Sequence, residues 1–160
     1  MEKTQFNSVE VLEMAKEIEV RGKEFYRHYA QQSDKKELKD FFKKLARDEQ
    51  DHYDTFNKLS QEAEKKADTS TNYIYDYQVS NYLKNLVEFT VFPADENEMP
   101  EVEELNVILN IAITAEKDSI LFYQEMVEHN QGNTVDVLEK LIKEEKKHLQ
   151  DLIEYRGQNA

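Results

Sequence analysis

The 160-residue sequence contains no cysteine, which excludes disulfide bonds, thiolate metal sites and iron–sulfur clusters. It has only three glycines and two prolines, whereas sheet-rich folds need turn residues every ~8–12 positions. Its longest apolar run, residues 120–123, is far too short to cross a membrane. Acidic residues outnumber basic ones by 34 to 21, and a net charge of −13 disfavours nucleic-acid and anionic-membrane partners.

The residues that are abundant are helix formers such as glutamate, lysine, leucine, glutamine and alanine. This composition predicts an all-α fold, and the length predicts a single domain over residues 1–160. The first residues, MEKTQFNSVE, are acidic and polar and show no secretory signal. We therefore expect a cytoplasmic protein without a membrane partner.

Apolar residues recur at helical spacing in four segments, which predicts helices over about residues 8–32, 35–66, 100–131 and 134–155. Asn7 and Glu10 are expected to cap the first helix, Pro100 to open the third and Gly132 to end it. Residues 67–99 between the second and third helices are irregular, with a short helix from about residue 77 to 88. The prediction is a ferritin-like four-helix bundle with one long crossover connection between the second and third of these helices.

The two halves of the sequence repeat each other. A shift of 97 residues overlays the first predicted helix on the third, so that Glu19 matches Glu116 and Tyr26 matches Tyr123. A shift of 96 residues overlays the second helix on the fourth, where Glu49-x-x-His52 matches Glu145-x-x-His148. Two copies of one helix hairpin predict a bundle with internal two-fold pseudo-symmetry.

The repeated Glu-x-x-His pairs are weak as isolated motifs, because a glutamate-rich chain contains such pairs by chance. Their position makes them informative, since they interrupt apolar helix faces where a lone carboxylate is costly. Glu19 and Glu116 interrupt the other two faces in the same way. A purely structural polar core is the alternative, although the apolar faces carry no lysine or arginine beside these residues.

Four carboxylates meeting in a bundle core would repel one another strongly. Two divalent cations would balance their four negative charges, and carboxylate with imidazole suits iron, manganese or zinc. A glutamate from each of two helices plus Glu-x-x-His from each of the others is the arrangement of dimetal helix bundles. The sequence therefore predicts a binuclear metal centre.

Four segments, taken in order over residues 9–155, resemble the rubrerythrin-like branch of the ferritin-like di-iron carboxylate proteins. They are Glu19-x-x-Gly22-x-x-Phe25-Tyr26, Asp48-Glu49-x-x-His52, Ala112-x-x-x-Glu116-Lys117-Asp118-Ser119 and Glu144-Glu145-x-x-His148. The resemblance implies two iron ions, with manganese or zinc as alternatives, and a ligand set of Glu19, Glu49, His52, Glu116, Glu145 and His148. It also implies that Glu49 and Glu145 bridge the two ions.

The sequence departs from that family pattern at two points. Many rubrerythrins carry a further carboxylate three residues after the third-helix glutamate, where this chain has Ser119. Asp118 points about 200° away from Glu116 on a helix and does not replace it. Without cysteine there is no rubredoxin-type iron site in the sequence, so electrons would come from an external donor protein.

The resemblance implies an oxidoreductase that reduces hydrogen peroxide or dioxygen at a di-iron centre. A ferroxidase or iron-handling protein is the first alternative, which Ser119 favours, and a non-catalytic helical metal-binding or interaction module is the second. We also expect a homodimer, because homodimers are common among the relatives.

Tyrosines occur near the predicted centre and in the crossover. Tyr26 and Tyr123 lie two helical turns beyond Glu19 and Glu116 on the same faces. They can donate hydrogen bonds to ligand carboxylates or serve as ordinary core aromatics. The tyrosines of residues 73–82 are expected to form a dimer contact or a cap on the bundle, and packing is favoured over a redox relay.

Overall fold

The computed structural model describes residues 5–66, 73–89 and 92–159. Five α-helices and one short 3-10 helix make up these ranges: α1 (Ser8–Gln32), α2 (Lys36–Lys66), α3 (Tyr77–Phe89), the 3-10 helix (Glu96–Glu98), α4 (Leu105–Glu128) and α5 (Asn133–Asn159). An isolated antiparallel bridge joins Asn7 and Ile74, and the described residues form no longer strand. No helix within these ranges is long and apolar enough to cross a membrane. The predicted all-α fold is confirmed.

The four long helices form two hairpins, α1 with α2 and α4 with α5, which pack against each other. Tyr26 bonds to Glu116 and Tyr123 bonds to Glu19, so α1 and α4 run antiparallel. Because each hairpin is itself antiparallel, α2 and α4 run parallel. The chain between them therefore has to travel the length of the bundle, as the predicted crossover requires.

The start of α1 follows from local sequence. The side chain of Asn7 accepts a hydrogen bond from the Glu10 backbone N–H at 2.9 Å, and the Glu10 carboxylate accepts one from the Asn7 N–H at 3.2 Å. This reciprocal pair satisfies two backbone donors that the first turn leaves free. The predicted cap is confirmed, and α1 covers the same residues as the predicted helix.

The prediction that Pro100 opens the third helix is wrong. The helix begins at Leu105, after a turn in which the Glu104 N–H donates to the Glu101 carbonyl at 3.0 Å. The Pro100 carbonyl instead accepts a hydrogen bond from the Tyr29 hydroxyl of α1 at 2.6 Å. This long-range contact holds residue 100 outside the helix that local propensity favours.

The prediction that this helix runs to about residue 131 and is ended by Gly132 is also wrong. The helix ends at Glu128, and the Asn130 side chain donates to the Met126 carbonyl at 2.7 Å. Gly132 does have a positive φ of 64°, but it lies directly before α5 rather than at the end of α4. The backbone N–H of His129 and the side-chain amide of Asn130 therefore bond to the last carbonyls of the helix, and the glycine is not its cap.

The fourth predicted helix is longer than expected, since α5 runs from Asn133 to Asn159 rather than ending at Tyr155. Arg156 donates to the Asn110 side chain of α4 at 2.8 Å. The last turn of α5 is thus tied to the neighbouring helix.

The crossover packs on the bundle through α3 and the residues around it. Tyr75, Leu83 and Phe92 are buried, whereas Tyr77 is more than half exposed. Residues 67–72, 90 and 91 and the side chain of Phe89 lie outside the described part of the chain. The described tyrosines thus divide between core packing and the surface.

The core consists of two apolar layers separated by a polar band. One layer includes Phe56 and Leu138, and the other includes Phe42 and Leu109. The buried residues between them are acidic or imidazole-bearing: Glu19, Glu49, His52, Glu116, Glu145 and His148. The fold therefore seals a charged cluster inside apolar material.

Candidate metal centre

The six residues predicted as metal ligands come together at the middle of the bundle. Each is at most 2% exposed. The helices α1 and α4 contribute one glutamate each, and α2 and α5 contribute a glutamate and a histidine each. On a helix, residues three apart share a face, so each Glu-x-x-His pair points its two side chains inward together.

The cluster divides into two groups, each with potential ligand atoms within 4.8 Å of one another. The first group is Glu19, Glu49, His52 and Glu145, and the second is Glu49, Glu116, Glu145 and His148. Glu49 and Glu145 belong to both groups, which is the position that a carboxylate bridging two ions occupies. Carboxylate oxygens with one imidazole nitrogen are a donor set suited to iron, manganese or zinc.

Both imidazole rings present Nδ1 to the cluster. The Nδ1 of His52 lies 2.9 Å from Glu145 Oε1. The Nδ1 of His148 lies 3.1 Å from Glu145 Oε2 and 3.0 Å from Glu49 Oε1. The two rings stack with centroids 5.6 Å apart. The four helices thus aim two ring nitrogens at the same small volume as the carboxylates.

The outer nitrogen of each ring is held by a carboxylate of the opposite hairpin. The Nε2 of His52 lies 2.7 Å from Glu144 Oε2, and the Nε2 of His148 lies 3.0 Å from Asp48 Oδ2. No role in the site was predicted for these two carboxylates from the sequence. The available signal was an acidic residue directly before the inward-facing glutamate in both copies of the repeat.

Two tyrosines connect the hairpins by crossed hydrogen bonds. The Tyr26 hydroxyl donates to Glu116 Oε1, and the Tyr123 hydroxyl donates to Glu19 Oε1, both at 2.5 Å. Both tyrosines are fully buried. Burial and the adjacent glutamates raise the pKa of both hydroxyls well above 10, so they remain donors.

Three carboxylate oxygens in the cluster have no hydrogen-bond partner. They are Glu19 Oε2, Glu49 Oε1 and Glu116 Oε2, all within the described residues. Glu49 Oε1 does lie near His148 Nδ1, but the hydrogen bond of that nitrogen goes to Glu145. Buried acceptors are rarely left unpaired, because desolvation is then uncompensated. A bound cation would coordinate these three oxygens and so supply the missing partner.

The pKa values of the cluster residues indicate which of them hold protons when no cation is bound. Burial and the carboxylates of Glu145 and Glu19 raise the pKa of Glu49 well above its usual range. Burial and Glu145 likewise raise the pKa of Glu116 to about 8. Burial lowers the pKa of His52, but the hydrogen bond to Glu145 and the nearby Glu19 carboxylate outweigh it and raise the value to about 12. Protons therefore occupy the cluster, and a metal ion would displace them.

Among His148, Glu19 and Asp48, the pKa of the histidine is raised and the pKa values of the two carboxyl groups are lowered. The pKa of His148 is raised, because the hydrogen bond to Asp48 and the nearby Glu116 carboxylate outweigh burial. Burial would raise the pKa of Glu19, but the neighbouring Glu49 and His52 side chains lower it below the usual value. The hydrogen bond to His148 lowers the pKa of Asp48 to about 2. These lowered pKa values favour the ionised carboxylates of Asp48 and Glu19.

Gly22 provides space for one of the shared glutamates. A Cβ at this position would lie 2.9 Å from Glu49 Oε2 and 3.0 Å from the Phe92 ring. Ser119, at the matching position in α4, is buried and donates its hydroxyl to the Ala115 carbonyl at 2.8 Å. Both positions beside the cluster therefore carry small residues, and neither supplies a carboxylate.

A cavity of about 510 Å³ lies between α2 and α5 on the outer side of the two imidazoles. His52, His148 and the carboxylates that hold them, Asp48 and Glu144, are among the residues that line it. The carboxylates of the cluster itself do not line this cavity and stay buried.

Comparison with known proteins is consistent with this geometry. The family model of rubrerythrin matches residues 10–155. A crystal structure from Thermotoga maritima, described as that of a ferritin-like diiron-carboxylate protein, superimposes with a TM-score of 0.77. The two sequences are 26% identical, and the match covers 99% of this chain and 100% of that one. No curated protein matches the chain.

Proposed function

Since the chain belongs to the rubrerythrin family, we propose that it is a di-iron oxidoreductase that reduces hydrogen peroxide or dioxygen with electrons from an external donor protein. The observation that carries this proposal is the set of three buried, unpartnered carboxylate oxygens beside two inward-facing imidazole nitrogens. An apolar bundle core accepts such a set when cations neutralise it.

Each group of the cluster would hold one ion. Glu19 and His52 belong to one group only and Glu116 and His148 to the other, so these four would each bind a single ion. The shared glutamates, Glu49 and Glu145, would bridge the two ions. Four carboxylates balance two divalent cations, which makes the buried centre neutral.

Reduction of hydrogen peroxide to two molecules of water consumes two electrons and two protons. A pair of iron ions held by the six residues of the cluster would supply the two electrons, and the external donor would restore them. The protein residues hold the centre, exclude bulk water with the two apolar layers and fix the Glu116 and Glu19 carboxylates through Tyr26 and Tyr123. Because the sequence has no cysteine, it carries no thiolate-ligated iron to supply these electrons.

The first test is metal content per chain after anaerobic Fe(II) loading and desalting. Two irons per chain are expected, together with reoxidation of the reduced centre by peroxide or dioxygen in stopped-flow absorbance. Glu49→Ala and Glu145→Ala should abolish two-metal binding, because each removes a ligand that both ions share. Two tightly bound ions in either variant would contradict the ligand assignment.

A ferroxidase or iron-handling protein is the second candidate, and Ser119 favours it. Ser119 uses its hydroxyl within α4, so it supplies no ligand where many rubrerythrins have a carboxylate. A ferroxidase consumes Fe(II) beyond two ions per chain, whereas the oxidoreductase cycles two irons with a donor. Oxygen uptake during stepwise Fe(II) addition separates the two. A centre that takes up only redox-inactive zinc would instead support a non-catalytic metal-binding module.

We further propose that the chain forms a homodimer through the exposed part of the crossover. Ile74 and Tyr77 are each more than half exposed there, and Tyr73 and Tyr82 are 40% exposed. Exposed apolar and aromatic side chains are the usual components of an interface core. Sedimentation velocity should give a dimer for the natural chain and a monomer for Ile74→Lys.

A further inference from the structure

The two imidazoles of the centre are held from outside by carboxylates, and the pairing crosses between hairpins. Asp48 of α2 holds His148 of α5 at 3.0 Å, and Glu144 of α5 holds His52 of α2 at 2.7 Å. All four side chains of these two contacts line the cavity between α2 and α5.

This pairing differs from the one that helix periodicity favours. Asp48 and His52 are four residues apart on α2, and so are Glu144 and His148 on α5. Residues at that spacing are neighbours on a helix surface and commonly interact. In the structure each carboxylate bonds instead to the histidine of the facing helix.

The contact fixes which nitrogen faces inward. A carboxylate at Nε2 accepts the N–H of that nitrogen, so that in the neutral ring the Nδ1 lone pair faces the cluster, where a cation would bind it. The side chains of both histidines are 3% exposed, whereas those of Asp48 and Glu144 are 32% and 46% exposed. The carboxylates can therefore be replaced without opening the core.

We propose that Asp48 and Glu144 are positioning residues. Each holds the histidine of the opposite hairpin and thereby sets how tightly the group that contains this histidine binds its metal ion. Asp48 acts on the group that contains His148, and Glu144 acts on the group that contains His52. This inference rests on the metal centre of the proposed function and concerns how its two ions are distinguished.

Anaerobic cobalt titration, followed by visible absorbance and equilibrium dialysis, tests the assignment. The natural chain should bind two ions, and Asp48→Ala should weaken one of them ~10–100-fold. Asp48→Asn keeps an acceptor oxygen for the ring N–H and should recover part of that loss. The control is Asp51→Ala, because Asp51 lines the same cavity without contacting either imidazole.

Double-mutant cycles identify the partner of each carboxylate. Asp48→Ala should add nothing in a His148→Ala background, because the same ion is already lost. In a His52→Ala background it should weaken the one remaining ion. Glu144→Ala should show the reverse dependence on the two histidines.

A second readout does not require metal. In the ¹H–¹⁵N spectrum of the imidazoles, Asp48→Ala should shift the Nε2–H signal of His148 and leave that of His52 in place. If the double-mutant cycles couple Asp48 to His52, or if Asp48→Ala weakens the binding of both ions equally, the crossed assignment is overturned, but the metal centre itself is not. A natural chain that binds no cobalt, iron or zinc would overturn the centre and this inference together.

Discussion

The carboxylates of the buried cluster differ in their hydrogen-bond partners. Glu145 bonds to both imidazoles, whereas Glu19 and Glu116 each have one oxygen bonded to a tyrosine and one without a partner. The tyrosines hold the carboxylates by one oxygen and leave the other for a cation. Each tyrosine hydroxyl thus orients a glutamate without occupying its metal-binding oxygen.

Replacing Tyr26 by Phe should therefore affect metal binding as well as folding. The change removes the 2.5 Å hydrogen bond to Glu116 and leaves a further buried acceptor unpaired, at a cost of about 1–3 kcal/mol in the metal-free protein. We expect two ions still to bind, with the affinity for one reduced ~10-fold. Calorimetric titration with Mn(II) measures this.

Tyr29→Phe is the matched control, because Tyr29 donates to the Pro100 carbonyl outside the cluster. It should lower the free energy of unfolding by a similar amount and leave metal affinity unchanged. Equal affinities in both variants and the natural chain would contradict the orienting role of Tyr26.

Gly22→Ala is expected to separate stability from metal binding. Alanine usually stabilises a helix interior by about 0.5–1 kcal/mol relative to glycine. At this position the added Cβ would lie 2.9 Å from Glu49 Oε2, so the carboxylate must move. Since Glu49 belongs to both metal groups, bound metal should fall below two ions per chain.

The control for this change is Gly157→Ala in α5, where an added Cβ meets nothing within 4 Å. It should bind two ions and unfold at the same or a slightly higher temperature. Full metal content in Gly22→Ala would show that the space beside Glu49 is not needed.

The positions of the six inward-facing residues were predictable because each follows from the spacing of apolar residues along one helix. The partners of Asp48 and Glu144 were not, since helix spacing pairs each with the histidine of its own helix. Which side chains meet across the α2–α5 contact depends on how the hairpins pack, and one sequence does not specify this.

At the scale of helices, the ends that depend on local contacts were predicted and those that depend on distant ones were not. The Asn7–Glu10 cap lies within four residues. The beginning of α4 depends on Tyr29, 71 residues before Pro100. Beyond the end of α4, the Asn130 amide bonds to the Met126 carbonyl of that helix and to the Tyr75 hydroxyl of the crossover, 55 residues away in sequence. The crossover therefore influences the helix ends around it.

Phe92 connects the crossover to the bundle, and its truncation should be costly. Its ring is buried and packs 5.2 Å from the ring of Phe25 and 5.3 Å from that of Tyr26, measured between centroids. Phe92→Ala should lower the free energy of unfolding by about 3–5 kcal/mol, as measured by urea denaturation.

Tyr77→Ala is the control within the same crossover, because Tyr77 is 56% exposed. Its effect should stay within about 0.5 kcal/mol. A Phe92→Ala effect as small as that of Tyr77→Ala would mean that the crossover is not held by this ring.

At the scale of the whole molecule, the buried cluster links folding to pH. Glu49 and Glu116 have raised pKa values in the folded chain, so the folded state binds protons that the unfolded state has released. The raised pKa of His52 acts in the same direction above pH 6.5. The stability of the metal-free protein should therefore fall as pH rises from about 5.5 to 8.5.

Differential scanning calorimetry across this range measures the effect. The unfolding temperature of the metal-free chain should decrease, and Glu116→Gln should reduce the slope because it removes a group with a pKa of about 8. Bound metal replaces the protons, so the loaded protein should lose this decrease. A metal-free chain whose stability rises over the same range would contradict the protonated cluster.

The crossed Tyr26–Glu116 and Tyr123–Glu19 bonds have an optical consequence. The sequence has no tryptophan, so its nine tyrosines dominate absorption and fluorescence near 280 nm. A cation bound to Glu19 or Glu116 would withdraw negative charge from the carboxylate that accepts the tyrosine hydrogen bond. This would change the electronic environment of one buried tyrosine ring in each hairpin. Near-ultraviolet difference spectra should thus report the filling of the two halves of the molecule without any added label.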